Sequence, residues 1–247
     1  SRGTREMAMT LKKFSFLSSA ALALMLAACG SSDTDSANES TDKGSTDGDA
    51  TTEETYVIGV TQLLEHPSLD AAYEGFQKAL EDAGLDVEYK YNTANGDNSA
   101  NMSVAQTLVG DGVDLIFANS TPSAQAAKSV TSDIPIVFTS VTDAVGAELV
   151  ASMEAPGGNV TGTVDLHPDT IANTVAFLKD ELGAKKVGTV YNTGEQNSIA
   201  QVEQIKAALE AEGIELVEAA VSTSADVKSA TESLLGKVDS FYIITDN

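Results

Sequence analysis

Basic residues are scarce in this chain. It carries 14 Lys and Arg against 37 Asp and Glu, a formal charge of −23 over 247 residues. A surface so poor in cations cannot track a phosphate backbone, which excludes nucleic acid as a partner. Tryptophan is absent, and the one cysteine, Cys29, can form neither an intramolecular disulfide nor a cysteine-based metal cluster. The two histidines, His66 and His167, are far apart in sequence and lack metal-ligand spacing, so no metal is expected. There is no Gly-rich phosphate loop, no dinucleotide fingerprint and no nucleophile elbow. No cofactor is therefore expected, and a secreted hydrolase is disfavoured. The 42% of hydrophobic residues is enough for one large or two small domains.

The chain begins with processing signals. Lys12-Lys13 precede an apolar run, Phe14 to Ala28, that is too short to span a bilayer comfortably. A basic start, an apolar middle and small residues at the end make residues 1–28 a secretory signal. The run closes Leu26-Ala27-Ala28-Cys29-Gly30, similar to a bacterial lipobox, with Cys29 where diacylglyceryl attachment would occur. The expectation is a lipid anchor on the extracytoplasmic face of the cell membrane. Residues 29–54 then hold almost nothing apolar and read as an acidic, disordered tether. Their Asp-x-Asp patterns lack the glycine and terminal Glu of a calcium loop.

From Tyr56 onward strands and helices alternate, which predicts parallel sheets covered on both faces. Tyr56–Thr61, Asp86–Tyr91, Asp114–Ala118 and Ile134–Phe138 read as strands. Ser68 is placed as the cap of a first helix bearing Leu69, Ala72, Tyr73, Phe76 and Leu80 on one face, and Gly84 as its stop. Further helices are expected over 102–109 and 123–131. Ligands in such sheets sit beyond the carboxyl ends of the strands. Three polar loops qualify: Gln62–Pro67, Asn119–Ser123 and Thr139–Asp143. His66 has two readings, a surface loop residue or a ligand contact.

The stretch Pro135 to Gly162 divides the chain, because the residues after it repeat the pattern of the residues before it. Ile58-Gly59 aligns with Val187-Gly188 at an offset of 129, and Phe76, Ala79, Leu80, Glu81 and Gly84 align with Ile205, Ala208, Leu209, Glu210 and Gly213 at the same offset. Val113-Asp114 aligns with Val238-Asp239 at 125. The expected architecture is α/β, with two doubly wound parallel-sheet lobes over 55–162 and 163–247. Val160–Leu166 reads as a crossover between them, leading into a helix, Thr170–Leu182, capped by Asp169. The second lobe is read as strands 187–191, 214–221 and 239–245 with helices 196–212 and 226–236. It lacks a helix and strand present in the first, so the chain is read as a fragment. Asp246-Asn247 falls on the ligand-facing edge.

Two blocks then carry a resemblance: Ser140-Val141-Thr142-Asp143-x-Val145-Gly146-Ala147, and Ala155-Pro156-Gly157-Gly158-Asn159-Val160-Thr161-Gly162. Together with Tyr191-Asn192 and Glu195-x-Asn197-Ser198, they resemble the ABC-transporter substrate-binding lipoproteins of the tryptophan/tyrosine-type uptake systems. The similarity runs from Tyr56 to Asn247. It implies a type I periplasmic-binding fold, no enzymatic turnover, and two lobes closing on a small ligand. Described members of the family take aromatic amino acids, and an ABC permease and ATPase are the implied partners. A ligand-sensing protein signalling to a membrane receptor, or a binding protein for another small polar solute, remains the alternative.

Carried over to this sequence, the resemblance gives candidate contacts. Ser120, Thr121, Ser140 and Thr142 are placed at a ligand carboxylate or other polar group. Asp246 is the first choice for an ammonium, with Glu195 second. Asn197 and Ser198 close from the second lobe, Asn247 lies beside Asp246, and Gln62 and His66 line a side-chain pocket. Capping and loop hydrogen bonding are the competing roles for each Ser and Thr.

Overall fold

The structure, a computed structural model, describes residues 54–247. The expected signal segment, Cys29 and the tether through residue 53 lie outside the described residues. Among the described residues no helix is long and apolar enough to cross a membrane.

Two parallel sheets are present. The first contains β1 (Tyr56–Gln62), β2 (Val87–Thr93), β3 (Leu115–Asn119), β4 (Ile136–Val141) and β5 (Val160–Val164), in the order β2-β1-β3-β4-β5. Its helices are α1 (Pro67–Asp82), α2 (Asn101–Gly110) and α3 (Thr121–Val130). The second contains β6 (Lys186–Asn192), β7 (Glu215–Val221) and β8 (Ser240–Phe241), in the order β7-β6-β8, with α4 (Thr170–Asp180), α5 (Gln196–Ala211) and α6 (Val227–Leu234).

The duplication reappears atom by atom. Val57 N–H donates to Asp114 Oδ2 at 2.7 Å, and Lys186 N–H, 129 residues on, donates to Asp239 Oδ2 at 3.1 Å. Gly59 lies where a Cβ would stand 3.1 Å from Val113 Cγ2; at Gly188 a Cβ would stand 3.1 Å from Val238 Cγ2. Both long helices end on a glycine with φ of 72°, Gly84 and Gly213. The next residue's N–H then turns back to the helix, Leu85 to Leu80 O and Ile214 to Leu209 O.

Several local expectations are corrected. The segment read as a crossover is β5, a fifth strand of the first sheet, with Ile136, Val137 and Phe138 opposite Val160, Thr161 and Gly162. The boundary placed at 162 falls inside it. The Asn159 carboxamide pins the chain there by donating to Thr131 O and Ile134 O, and Val160 is buried in the core beneath. Helix α1 is capped by His66, not Ser68: the His66 Nδ1 accepts from Ser68 N–H at 3.2 Å. Asp169 makes no capping bond to α4, and His167 Nδ1 accepts its N–H at 3.2 Å. Both sites read His-Pro-x, and the reason is shared. Proline has no N–H, so the next donor within reach of the imidazole is two residues on. Helix α3 begins at Thr121, two residues before expectation, because Ser120 Oγ accepts from Ser123 N–H at 3.3 Å. The strand expected over 239–245 stops at Phe241. Side chains take over its ladder: Thr189 Oγ1 donates to Tyr242 O, and the Gln201 carboxamide binds the backbone of Thr245.

Strand β3 shows how both faces of the first sheet are filled. Ile116 and Ala118 point into one cluster with Leu108, Ala124, Ala127, Ile136 and Phe138. Phe117 points the other way, with Ile58 and Val60, against Tyr73, Phe76 and Leu80 of α1. Phe76 stacks on Phe117 at 4.1 Å between centroids, and Tyr73 on Tyr91 at 5.5 Å. Burial, with Tyr89 and Tyr91 adding, pushes the Tyr73 hydroxyl up to about 12. Because the folded value lies above the unfolded one, the stability it contributes is present below pH 10 and is lost as pH rises toward 12. An alkaline titration followed by tyrosinate absorbance is expected to show its latest component from Tyr73, beyond those of Tyr89, Tyr91 and Tyr191, which are also raised, and Tyr73→Phe removes that latest component.

Candidate functional site

The carboxyl ends of β1, β3 and β4 are drawn together by one buried side chain, Asn119. Its Nδ2 donates to Gln62 Oε1 at 2.8 Å and to Leu69 O at 2.7 Å, while its Oδ1 accepts from Ser140 Oγ at 2.8 Å. Gln62 in turn donates to Leu64 O and Asp70 Oδ1, both at 2.8 Å. Every polar atom of Gln62 is thus engaged inside the protein, and it shapes the β1–α1 loop from behind. Ser120 and Ser140 hold φ of 138° and 55°, values that non-glycine residues rarely adopt. Such strain persists only where surrounding bonds over-determine it, as the Asn119 network does at Ser140.

In front of this network lies a partly open cleft of about 130 Å³. Leu64, His66, Ser68, Leu69, Ser140 and Thr142 line it from the first sheet. Asn197, Thr245, Asp246 and Asn247 line it from the second, and Asp165, just after β5, completes it. Six of the eleven residues singled out from the sequence therefore meet here: His66, Ser140, Thr142, Asn197, Asp246 and Asn247. Gln62, Ser120, Thr121, Glu195 and Ser198 do not line it. Ser120 caps α3, and Thr121 opens the same helix. Ser198 is fully buried in the first turn of α5.

The acidic groups differ in how far they are already satisfied. Asp246 Oδ2 accepts from Asn192 N–H at 2.9 Å and its Oδ1 from Asn247 N–H at 2.8 Å. Glu195, 2% exposed, accepts from Asn192 Nδ2 at 3.0 Å and from Asn247 Nδ2 at 2.7 Å. Burial first, then the nearby Asp246, raises its carboxyl above the ordinary range. Asp165 is exposed, yet desolvation by nearby protein atoms raises its carboxyl, with its own backbone N–H and then the nearby Thr142 hydroxyl opposing. Gln201, 3% exposed, joins the two halves of the wall. Its carboxamide binds Thr245 O at 2.6 Å and Thr245 N–H at 3.1 Å, and its Nε2 lies 3.5 Å from Thr142 Oγ1. Among the described residues no lysine or arginine lines the cleft, and none of their His, Cys, Asp and Glu groupings could hold a metal.

Sequence reasoning missed Asn119, Asp165 and Gln201. Two carried a signal. Asn119 is a polar residue ending a buried strand, and Gln201 falls on the stripe Asn197-Gln201-Ile205-Leu209 that α5 buries. Asp165 carried none, because its place depends on β5 pairing with β4.

Comparison with known proteins places the chain in a family. The family described as "ABC transporter substrate binding protein" matches residues 57–247. A tyrosine-binding protein of Clostridioides difficile (strain R20291) is 48% identical over 195 residues, covering 77% of this chain and 56% of that protein. The chain belongs to the ABC transporter substrate-binding protein family. It spans little more than half of that relative's length. A conserved domain protein from Vibrio cholerae is 42% identical with a TM-score of 0.73, covering 76% of this chain and 65% of the other. A Streptococcus ABC domain in complex with L-Trp is 35% identical with a TM-score of 0.74, covering 78% and 66%. A Rhodopseudomonas palustris solute-binding protein in complex with 4-hydroxybenzoate, 20% identical with a TM-score of 0.56 and covering 77% of this chain and 54% of that one, shares the fold alone. The family's members are binding proteins with the type I periplasmic-binding fold, and this member has its parallel α/β sheets.

Proposed function

We propose that this chain is the extracytoplasmic substrate-binding component of an ABC importer and holds an aromatic amino acid between its two sheets without turning it over. The observation that carries the reading is the cleft itself. Polar groups from the carboxyl ends of both sheets converge on one space, with His66, Ser140 and Thr142 facing Asn197, Asp246 and Asn247. Relatives that share this fold bind tyrosine and L-Trp, as their names state. In this proposal Gln62, Ser120, Thr121, Glu195 and Ser198 hold the contact loops in place. The permease and ATPase are the partners, and the lipid on Cys29 keeps the domain at the membrane surface.

A thermal-shift screen of the twenty amino acids on the full-length protein tests the ligand class. A ligand at a hundred times its Kd adds about 2.7 kcal/mol, which raises the melting temperature of a domain this size by roughly 5–10 °C. Tryptophan, tyrosine or phenylalanine should produce that shift. A screen in which none of the three moves the transition would overturn the assignment.

A further inference from the structure

We propose that Asn98 is a closure latch, a positioning residue that reaches from the first sheet's loops to Gly194 beside the second sheet and holds the two halves together around a ligand it does not touch. This rests on the reading that an aromatic amino acid is held between the two sheets.

Asn98 opens a short 3-10 turn, Asn98–Ala100, in the connection from β2 to α2. Its Nδ2 donates to Gly194 O, between β6 and α5, at 3.4 Å. A Cβ at Gly194 would meet the same Nδ2 at 3.5 Å, so the carboxamide is packed on the Gly194 backbone itself. Neither residue lines the cleft.

Both ends of this bond are braced. Asn98 O accepts from Asn101 Nδ2 at 3.3 Å, and Asn101 Oδ1 accepts from Ser123 Oγ at 3.2 Å. Ser123 Oγ in turn accepts from Ser120 Oγ at 3.0 Å, on the residue that follows the Asn119 hub. Asn101, Ser120 and Ser123 are all buried. The loop is also tied to the end of β1, with Ala94 N–H donating to Gln62 O and Gly96 N–H to Leu63 O. On the other side, Gly194 N–H donates to Asn192 Oδ1 at 2.9 Å. Asn192 N–H donates to Asp246 Oδ2, and Asn192 Nδ2 to Glu195 Oε1. A chain of hydrogen bonds thus runs from Ser120 to Asp246 in the cleft wall, and it crosses from one half to the other at Asn98.

The crossing is suited to parting. Asn98 Oδ1 is enclosed without a partner among the described residues, and so is Gln196 Oε1, two residues beyond Gly194. A permanent interface would pair such acceptors. The Oδ1 shares one carboxamide with the Nδ2 that spans the gap, so separating the halves returns it to water. Closure therefore gains one long bond and leaves an acceptor empty, a balance small enough for a ligand to decide.

Binding kinetics on the full-length protein, with L-tryptophan and L-tyrosine as probes, test the latch. Asn98→Asp keeps the size but turns the donor into an acceptor facing Gly194 O. A net hydrogen bond shifts an equilibrium about two- to 13-fold, and opposed acceptors add to the loss. Each affinity is therefore expected to fall at least about fivefold, mostly through faster dissociation. The factor should be the same for both amino acids, because the variant changes the closed population and no ligand contact. The melting temperature without ligand should not move, whereas a merely structural role would lower it. Asn95→Asp, in the same loop and exposed, adds the same charge away from the crossing and should leave both affinities unchanged. A measurement without any variant is exchange of the Asn98 side-chain amide protons by NMR, which should slow when ligand is added. Exchange that ignores the ligand, a loss in Asn98→Asp below about twofold, unequal losses for the two amino acids, or an equal loss in Asn95→Asp would overturn the latch and leave the cleft as the ligand site. If neither amino acid binds the unmutated protein, the aromatic amino acid reading falls, and the latch with it.

Discussion

Asn119→Ala is expected to destabilise the protein by about 2–6 kcal/mol, from about 1–3 kcal/mol for one buried acceptor left empty and about 0.5–1.5 kcal/mol for each of two further bonds lost. The emptied acceptor is Gln62 Oε1; Leu69 O, inside α1, keeps its helical partner but loses the Asn119 bond, and Ser140 Oγ loses its own acceptor at the same time. Asn119 is fully buried, and so is Gln62, which limits the access of water to the orphaned groups. Against a total stability of about 5–15 kcal/mol this is a large fraction. The melting temperature should fall by roughly 5–20 °C. Ligand affinity should fall as well, because Leu69 and Ser140 line the cleft and Asn119 sets their spacing. Asn119→Asp separates geometry from volume: it keeps the size and the acceptor for Ser140 but replaces both donated bonds with carboxylate repulsion. Denaturation of the two variants measures the effect. A loss below about 1 kcal/mol in Asn119→Ala, the low end for a single orphaned acceptor, would show that the three loops hold their places without the hub.

Gly162→Ala should be comparably severe for a different reason. A Cβ at Gly162 would lie 2.1 Å from Phe138 O and 2.6 Å from the Phe138 ring. The first of these is backbone, so no rotamer change relieves it. Phe138 is opposite Gly162 in the β4–β5 pairing and is itself 1% exposed in the core. The strands must separate locally or β5 must leave the sheet. Overpacking of this kind typically costs about 1–3 kcal/mol, and a backbone clash puts this case at or above the upper end. The consequence reaches the site, since β5 delivers Asp165, whose N–H donates to Val141 O at 2.9 Å. The expected result is a lowered melting temperature together with weakened ligand binding. A protein of unaltered stability would mean that β5 is free to shift without consequence. Gly158→Ala is the control, because a Cβ there meets nothing within 4 Å.

Gly162 also explains part of the motif that carried the family resemblance. In Pro156-Gly157-Gly158-Asn159-Val160-Thr161-Gly162, Gly157 turns the chain with φ of 90°, Asn159 ties it to Thr131 and Ile134, and Gly162 lets β5 lie against Phe138. In the other block, Asp143 Oδ1 accepts from Gly146 N–H at 2.8 Å, and a Cβ at Gly146 would collide with the same carboxylate. Both blocks are recognisable because backbone geometry restricts which residues they accept. Neither is made of ligand-binding atoms alone, which is why the motif revealed the fold more fully than the site.

The amino-acid sequence by itself determined the α/β class, the two-fold repetition and the order of most elements. These come from alternating apolar runs, helix-stopping glycines and a fixed offset, all of them local or periodic quantities. It also placed Ser140, Thr142, Asn197 and Asp246 at strand ends and helix starts, where a parallel sheet presents its rim. Tertiary structure alone decided which rim residues face the cleft and which are consumed internally. Gln62 and Asn197 are both polar, both at an element's end and both almost fully buried. Gln62 has all its polar atoms paired and Asn197 keeps one empty acceptor. A hydrogen bond is made between groups distant in sequence, so whether a side chain is spent on the protein or left for a ligand depends on neighbours that folding brings to it.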